Sequence, residues 1–318
     1  MTLTTVDVKS AVHEDTAMNL VITGASGFIG STLADRLGEE GNTLVLLSRT
    51  PPAEKTLPNQ RWLTWKLGVP GDWERSIDGA DGIIHLAGEP IAAKRWTPAQ
   101  KEKLRYSRIE STAALVDAIG RARMKPRFLI SSSAVGYYGP HGDETLTEDS
   151  APGNGFLAQL CLDWESEANK AKDFGVRVAL LRTGIVLGRG KGALAKMVPP
   201  FKIFTGGSLG SGKQWFPWIH LSDAIGLIKF LIDDDQAKGP FNVTAPEPVT
   251  MSDFCKALGK ALNRPSWLPV PASLLSLMLG EMSEMLLTGQ RAVPQAALGL
   301  GYHFQFPNVL QALESLGL

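Results

Sequence analysis

The sequence predicts an α/β fold, with helices covering both faces of a parallel sheet. Short apolar runs recur through the first half of the chain, at residues 19–23, 43–47, 81–87, 126–132 and 176–181. Segments with helical spacing separate them, and a glycine-rich turn joins the first run to the first helix. Strands that are apolar on both faces need cover on both sides, which helical crossovers supply. The pattern is that of a Rossmann-type doubly wound parallel sheet, followed by a smaller C-terminal lobe.

Residues 1–17 are polar, carry Asp7, Glu14 and Asp15, and read as a disordered leader without the basic start and apolar centre of a signal peptide. Met18 opens the first strand, 19–23, and Phe28, Ile29, Leu33 and Leu37 then share one helical face. Gly41 and Asn42 end that helix before the second strand, 43–47. A third strand, 61–67, is weaker because aromatic and polar residues alternate; the fourth is 81–87. Thr97 and Pro98 form an N-cap with proline at the first turn, opening a helix that runs to Arg123. A strand at 126–132, a helix at 156–174 and a strand at 176–181 follow.

Past Gly188 the character changes. A glycine-rich stretch, 206–212, precedes Trp215, Phe216 and Trp218, which read as lobe core. A helix at 222–232, a strand near 241–244 and a helix at 252–262 lead into a segment rich in proline and leucine. The implied division is a dinucleotide-binding domain over 18–188 and a capping lobe over 189–318, partly interwoven with it.

Lysine plus arginine and aspartate plus glutamate number 32 each, so the chain lacks the basic excess of a nucleic-acid binder. The two cysteines, Cys161 and Cys255, have no CxxC spacing and point to a reducing, cytoplasmic compartment rather than a disulfide framework. No apolar run reaches membrane-spanning length; the best candidate, 272–287, is interrupted by Glu281 and Glu284. No cluster with metal-ligand spacing appears, so no metal is expected.

The chemistry starts in Thr23-Gly24-Ala25-Ser26-Gly27-Phe28-Ile29-Gly30, a G-x-x-G-x-x-G run placed between strand and helix. Gly24 and Gly27 permit a tight turn and a close backbone approach to a pyrophosphate, and Gly30 lets helix and strand pack. The helix start adds unpaired N–H groups and a partial positive charge, with Ser26, Phe28 and Ile29 at the same edge. NAD binders place an acid at the end of the second strand, roughly 20 residues on. Here that end reads Ser48-Arg49. A guanidinium suits a 2′-phosphate, so NADP(H) is the expected cofactor. Leu86, Ala87 and Gly88 after the fourth strand, and Ile185 after the sixth, complete the expected contacts.

Taken with HLAG at 85–88, SSSAVGYYG at 131–139, LRTGIVLG at 181–188 and FNVTAPEPVT at 241–250, this turn resembles the extended short-chain dehydrogenase/reductase superfamily. Within it the chain is similar to the atypical "epimerase family", related to NAD-dependent epimerases and dehydratases and carrying a short C-terminal domain. The resemblance implies a serine that orients the substrate oxygen, a tyrosine whose pKa a lysine lowers, and an asparagine that holds a water. Ser133 matches the serine, but Leu157 falls at the tyrosine, Cys161 at the lysine and Arg108 at the asparagine. Tyr138, just past Ser133, is the remaining candidate for proton transfer. His85 and His220 read as structural hydrogen-bonding residues, while Glu89, Lys94, Arg95 and Trp96 are candidate substrate contacts.

Two readings follow. One is an NADP(H)-dependent oxidoreductase or nucleotide-sugar-epimerase-like enzyme acting on an unidentified small molecule, with Ser133 and Tyr138 catalytic. The other is a catalytically weak or inactive NADP(H)-binding sensor or scaffold, because the tetrad is broken. A homodimer through the helices that carry Arg105 and Arg108 is compatible with both.

Overall fold

In a computed structural model that describes residues 17–52 and 57–318, seven parallel strands form the central sheet. They are β1 (Asn19–Thr23), β2 (Thr43–Ser48), β3 (Gln60–Thr64), β4 (Gly82–His85), β5 (Phe128–Ala134), β6 (Arg177–Thr183) and β7 (Gly239–Val243). Their spatial order is β7-β6-β5-β4-β1-β2-β3, every neighbouring pair parallel. The chain therefore reverses direction across the sheet between β1 and β4, which is where open α/β sheets bind ligands. The leader expected over 1–17 falls, but for Ala17, outside the described residues.

Side chains alternate across each strand, so one strand feeds two cores. Leu20 and Ile22 of β1 pack with Leu33 and Leu37 of α1 (Phe28–Glu39) on one face. Val21 joins Ile83, Leu115 and Ile119 on the other, beneath α2 (Pro98–Tyr106) and α3 (Ile109–Arg121). Each fully buried aliphatic side chain contributes roughly 1.5–3 kcal/mol. A third cluster joins Phe216 and Trp218 to Phe254 and Leu258, and to Leu313 near the C-terminus.

Several boundaries differ from those the sequence predicts. The strand expected at 61–67 stops at Thr64, because Trp65 leaves the ladder to pack on Trp73, ring centroids 5.9 Å apart. The fourth strand ends at His85, where Ala87 donates its N–H to Thr23 Oγ1 instead of continuing the ladder. The helix expected over 97–123 is two helices, α2 and α3, broken at Ser107 and Arg108. Those two residues hold the loop after β4: the Glu89 N–H donates to Ser107 Oγ at 3.0 Å, and Arg108 Nη2 donates to the Glu89 carbonyl at 3.1 Å. The helix expected over 156–174 is α4 (Phe156–Asn169) followed by a 3₁₀ turn, Lys170–Phe174.

The strand expected near 241–244 is β7, an edge of the central sheet hydrogen-bonded to β6. The helix before it, α5 (Leu221–Asp233), covers the same face as α1 through Ile225, Ile228 and Leu231. The sheet thus takes strands from both sides of residue 188. Among the described residues no helix is long and apolar enough to cross a membrane.

Candidate functional site

The turn between β1 and α1 is built by its glycines. Gly24 has φ +71°, and a Cβ there would lie 2.7 Å from the Leu86 carbonyl carbon. A Cβ on Gly30 would sit 2.2 Å from the Gly24 carbonyl oxygen, so its absence lets α1 seat on the turn. Gly27 precedes α1 in extended conformation; no side chain caps the N–H groups that follow, and no acid occupies the first turn. Ser26 and Gly27 are exposed at this edge. Uncapped N–H groups at a helix start, with backbone free to approach closely, fit a pyrophosphate. Phe28 lies across Gly188 and Gly192, packing the turn against the loop after Leu187.

At the end of β2, Ser48 Oγ closes a local turn with Thr50. Arg49 has an 82% exposed side chain whose guanidinium stands 4.0 Å from Glu89 Oε2. The sequence reading placed no acid in reach of Arg49; Glu89 corrects this, brought in from the loop after β4. A phosphate arriving at Arg49 would compete with that carboxylate.

A cavity of about 450 Å³ opens beside the turn, at the carboxyl ends of β4, β5 and β6. Ile29, Leu86, Gly88, Ser133 and Ile185 line it, as do Trp96, Leu157 and Met285. Of the other loop residues singled out, Glu89 also lines it, whereas Arg95 turns outward to the Leu277 carbonyl and Lys94 is exposed.

Ser133 Oγ donates to Glu165 Oε1 at 2.6 Å. Arg182 clasps the same carboxylate with two bonds, Nε to Oε1 at 2.9 Å and Nη2 to Oε2 at 3.0 Å. All three side chains are buried. Tyr138, expected to carry the proton, is 0% exposed and does not line the cavity. Its hydroxyl donates to Asn242 Oδ1 at 2.7 Å and accepts from Arg182 Nη1 at 3.1 Å. Burial pushes its pKa up to about 12. Tyr138 is thus a structural tie between β7 and the loop after β5, which corrects the expectation. Glu165 and Arg182 are the buried pair that the sequence reading did not assign. Their signal was an acid inside α4 and an arginine closing an otherwise apolar strand.

The positions where the family keeps tyrosine and lysine hold Leu157 and Cys161, both on the cavity wall. Burial pushes the Cys161 thiol up to about 12, so it is neutral at ordinary pH. Arg108 is half-buried and also lines the cavity, its guanidinium against Gly88 and 5.2 Å from the Trp164 ring. It donates to the carbonyls of Leu104 and Glu89, and no carboxylate of the described residues comes within 4.0 Å of it. Burial lowers its pKa. His85 lies behind the site, fully buried between Thr23, Ser111 and Thr112. His220 caps α5 by accepting from the Ser222 N–H.

Fold and site define a protein of the extended short-chain dehydrogenase/reductase type, with a pyrophosphate-shaped turn beside an apolar cavity. Residues 20–244 match the NAD dependent epimerase/dehydratase family, and residues 270–316 match a domain of unknown function, DUF1731. The chain belongs to that epimerase/dehydratase family. It is 41% identical, over 97% of its length and 89% of the relative's, to the chloroplastic SDR39U1 homolog of Arabidopsis thaliana, an epimerase family protein. Among solved structures it is similar to human epimerase family protein SDR39U1 with NADPH, at TM-score 0.84 and 33% identity, covering 94% of this chain and 99% of that one. A nucleoside-diphosphate sugar epimerase from Corynebacterium glutamicum has TM-score 0.76 and 33% identity, covering 95% of this chain and 59% of that one.

Proposed function

We propose that the chain is an NADP(H)-dependent oxidoreductase or epimerase-like enzyme acting on a small molecule. The observation that carries this reading is the uncapped start of α1 behind Gly24 and Gly27, with Arg49 at the end of β2. The human relative described with NADPH supports the choice of dinucleotide. Gly24, Ser26, Gly27, Phe28, Ile29 and Gly30 would hold the pyrophosphate, Ser48 and Arg49 the 2′-phosphate, and Leu86, Ala87, Gly88 and Ile185 the nicotinamide half. Bound there, the cofactor would supply or accept a hydride. Ser133 would hold the reacting oxygen. Because its own proton is committed to Glu165, Ser133 is set to accept a hydrogen bond from a substrate hydroxyl. Two free, buried thiols support a reducing compartment such as the cytoplasm.

Leu157 favours the second reading, a weakly catalytic cofactor-binding sensor, because leucine has no proton to exchange. General acid–base help is worth roughly 10²–10⁴-fold in rate. Fluorescence titration with NADPH and NADH, followed by NADPH consumption against carbonyl compounds, separates the two. Micromolar NADPH binding with turnover on some carbonyl supports the enzyme, and binding without turnover on any supports the sensor. Arg49→Ala should weaken NADPH by about tenfold or more, as loss of a charged phosphate contact does, and leave NADH nearly unchanged. Equal losses for both would refute the phosphate assignment.

A further inference from the structure

The cavity wall is mostly aromatic and aliphatic, with Trp96, Phe156, Leu157, Leu160 and Met285 facing a volume of about 450 Å³. Part of that volume, beside Ile29, Leu86 and Ile185, belongs to the nicotinamide end of the cofactor under the reading above, on which this inference rests. The charged side chains on the wall are Arg108, Glu89 and Glu284. A nucleoside diphosphate would bring two negative charges against one guanidinium flanked by two acids, an arrangement that costs affinity. It would also bury its hydroxyls against carbon, leaving them without partners.

Arg108 points to what does fit. The break between α2 and α3 places its guanidinium at Gly88, on the cavity wall. Its hydrogen bonds go to neutral oxygens, the carbonyls of Leu104 and Glu89 and the hydroxyl of Ser107. Those bonds use three of its five N–H groups. The cation is half-buried, and no acid within 4.0 Å neutralises it. A partly desolvated guanidinium with spare donors is a site for one anionic oxygen group, and an apolar wall is a site for hydrocarbon.

We infer that the substrate is a compact apolar or aromatic compound bearing a single carboxylate, which Arg108 binds, and not a nucleotide sugar. Arg108 then takes over, as a binding residue, part of the positioning that the family assigns to the tyrosine replaced here by Leu157.

Calorimetric titration of the full-length protein tests this, with and without saturating NADPH. The probes are 2-naphthoate, its uncharged analogue 2-methylnaphthalene, and UDP-glucose. NADPH affinity is read separately from the cofactor's own fluorescence, so failure of the cofactor reading shows there and not in the probe titrations. 2-Naphthoate should bind at least tenfold more tightly than 2-methylnaphthalene, and UDP-glucose should give no heat. Arg108→Gln should abolish the preference for 2-naphthoate, while Arg108→Lys, which keeps the charge, should retain part of it. The comparison of the two naphthalenes on the unmodified protein stands even if a variant fails to fold. Tighter binding of UDP-glucose, equal binding of the two naphthalenes, no heat with any probe, or a full preference surviving in a folded Arg108→Gln protein would each overturn the inference.

Discussion

His85 is held by two hydrogen bonds in a site without water. Thr112 Oγ1 gives its own hydrogen to the Arg108 carbonyl at 2.6 Å, so it accepts from Nε2 of His85, 3.1 Å away. Nδ1 is then left to accept from Thr23 Oγ1 at 2.6 Å. The ring is therefore neutral, and burial, with the nearby Arg108 charge adding to it, lowers its pKa to about 3. An unfolded chain protonates the same ring near 6.5. Below about pH 6.5 the unfolded state binds the extra proton, and stability falls with pH by about 1.4 kcal/mol per unit until the folded pKa is reached. Lowering the pH from 7 to 5 should thus cost about 2 kcal/mol through this residue, read as a drop in the denaturant midpoint. Replacing His85→Gln should flatten that slope between pH 5 and 7. His220, whose pKa burial also lowers, contributes in the same direction and should leave a residual slope. A slope unchanged in the variant would show that His85 is not the group being titrated.

At the scale of elements, α1 depends on Gly30. An added Cβ meets backbone rather than a movable side chain, so the helix must lift off the turn that ends in Gly24. Gly30→Ala should destabilise the protein by about 1–3 kcal/mol, as overpacking does. It should also weaken NADPH by more than tenfold, because the N–H groups of α1 move with the helix. Gly299→Ala, where the added methyl meets open space, is the control and should change neither. Undiminished NADPH binding to Gly30→Ala would mean that the seating of α1 does not shape the site. This turn was legible in the sequence because its requirements are local: a tight φ at one glycine and close packing at another. The break between α2 and α3 was not legible. Ser107 and Arg108 continue a good helical pattern, and only their bonds to Glu89, 18 and 19 residues away, stop the helix. Tyr138 was misjudged for the same reason, since its partners Arg182 and Asn242 arrive from β6 and β7.

Across the whole molecule, the chain's second half both completes the sheet and closes the cavity. β7 and α5 belong to the sheet layers, while Met285 and its neighbours wall the cavity. The apolar runs showed the sheet strands, but not that an edge strand would come from beyond residue 188, because edge position is decided by pairing and not by composition. One buried carboxylate ties this half together. Asp223, at the start of α5 and 1% exposed, accepts from the backbone N–H groups of Gln305 at 2.7 Å and Phe306 at 2.9 Å. Just beyond them the helix Val309–Ser315 inserts Ala312 and Leu313 into the cluster around Phe254. Asp223→Ala leaves two N–H groups without their acceptor, at about 1–3 kcal/mol each, so a loss of about 2–5 kcal/mol is expected in the denaturant midpoint. Because those N–H groups anchor the last helix, the damage should concentrate there. Limited proteolysis should release a fragment beginning near residue 302 well before the sheet is cut, and an environment-sensitive dye should bind the uncovered cluster. If the variant melts early but is cleaved uniformly, Asp223 serves the sheet face under α5 instead, and the C-terminal helix is held by its apolar contacts alone.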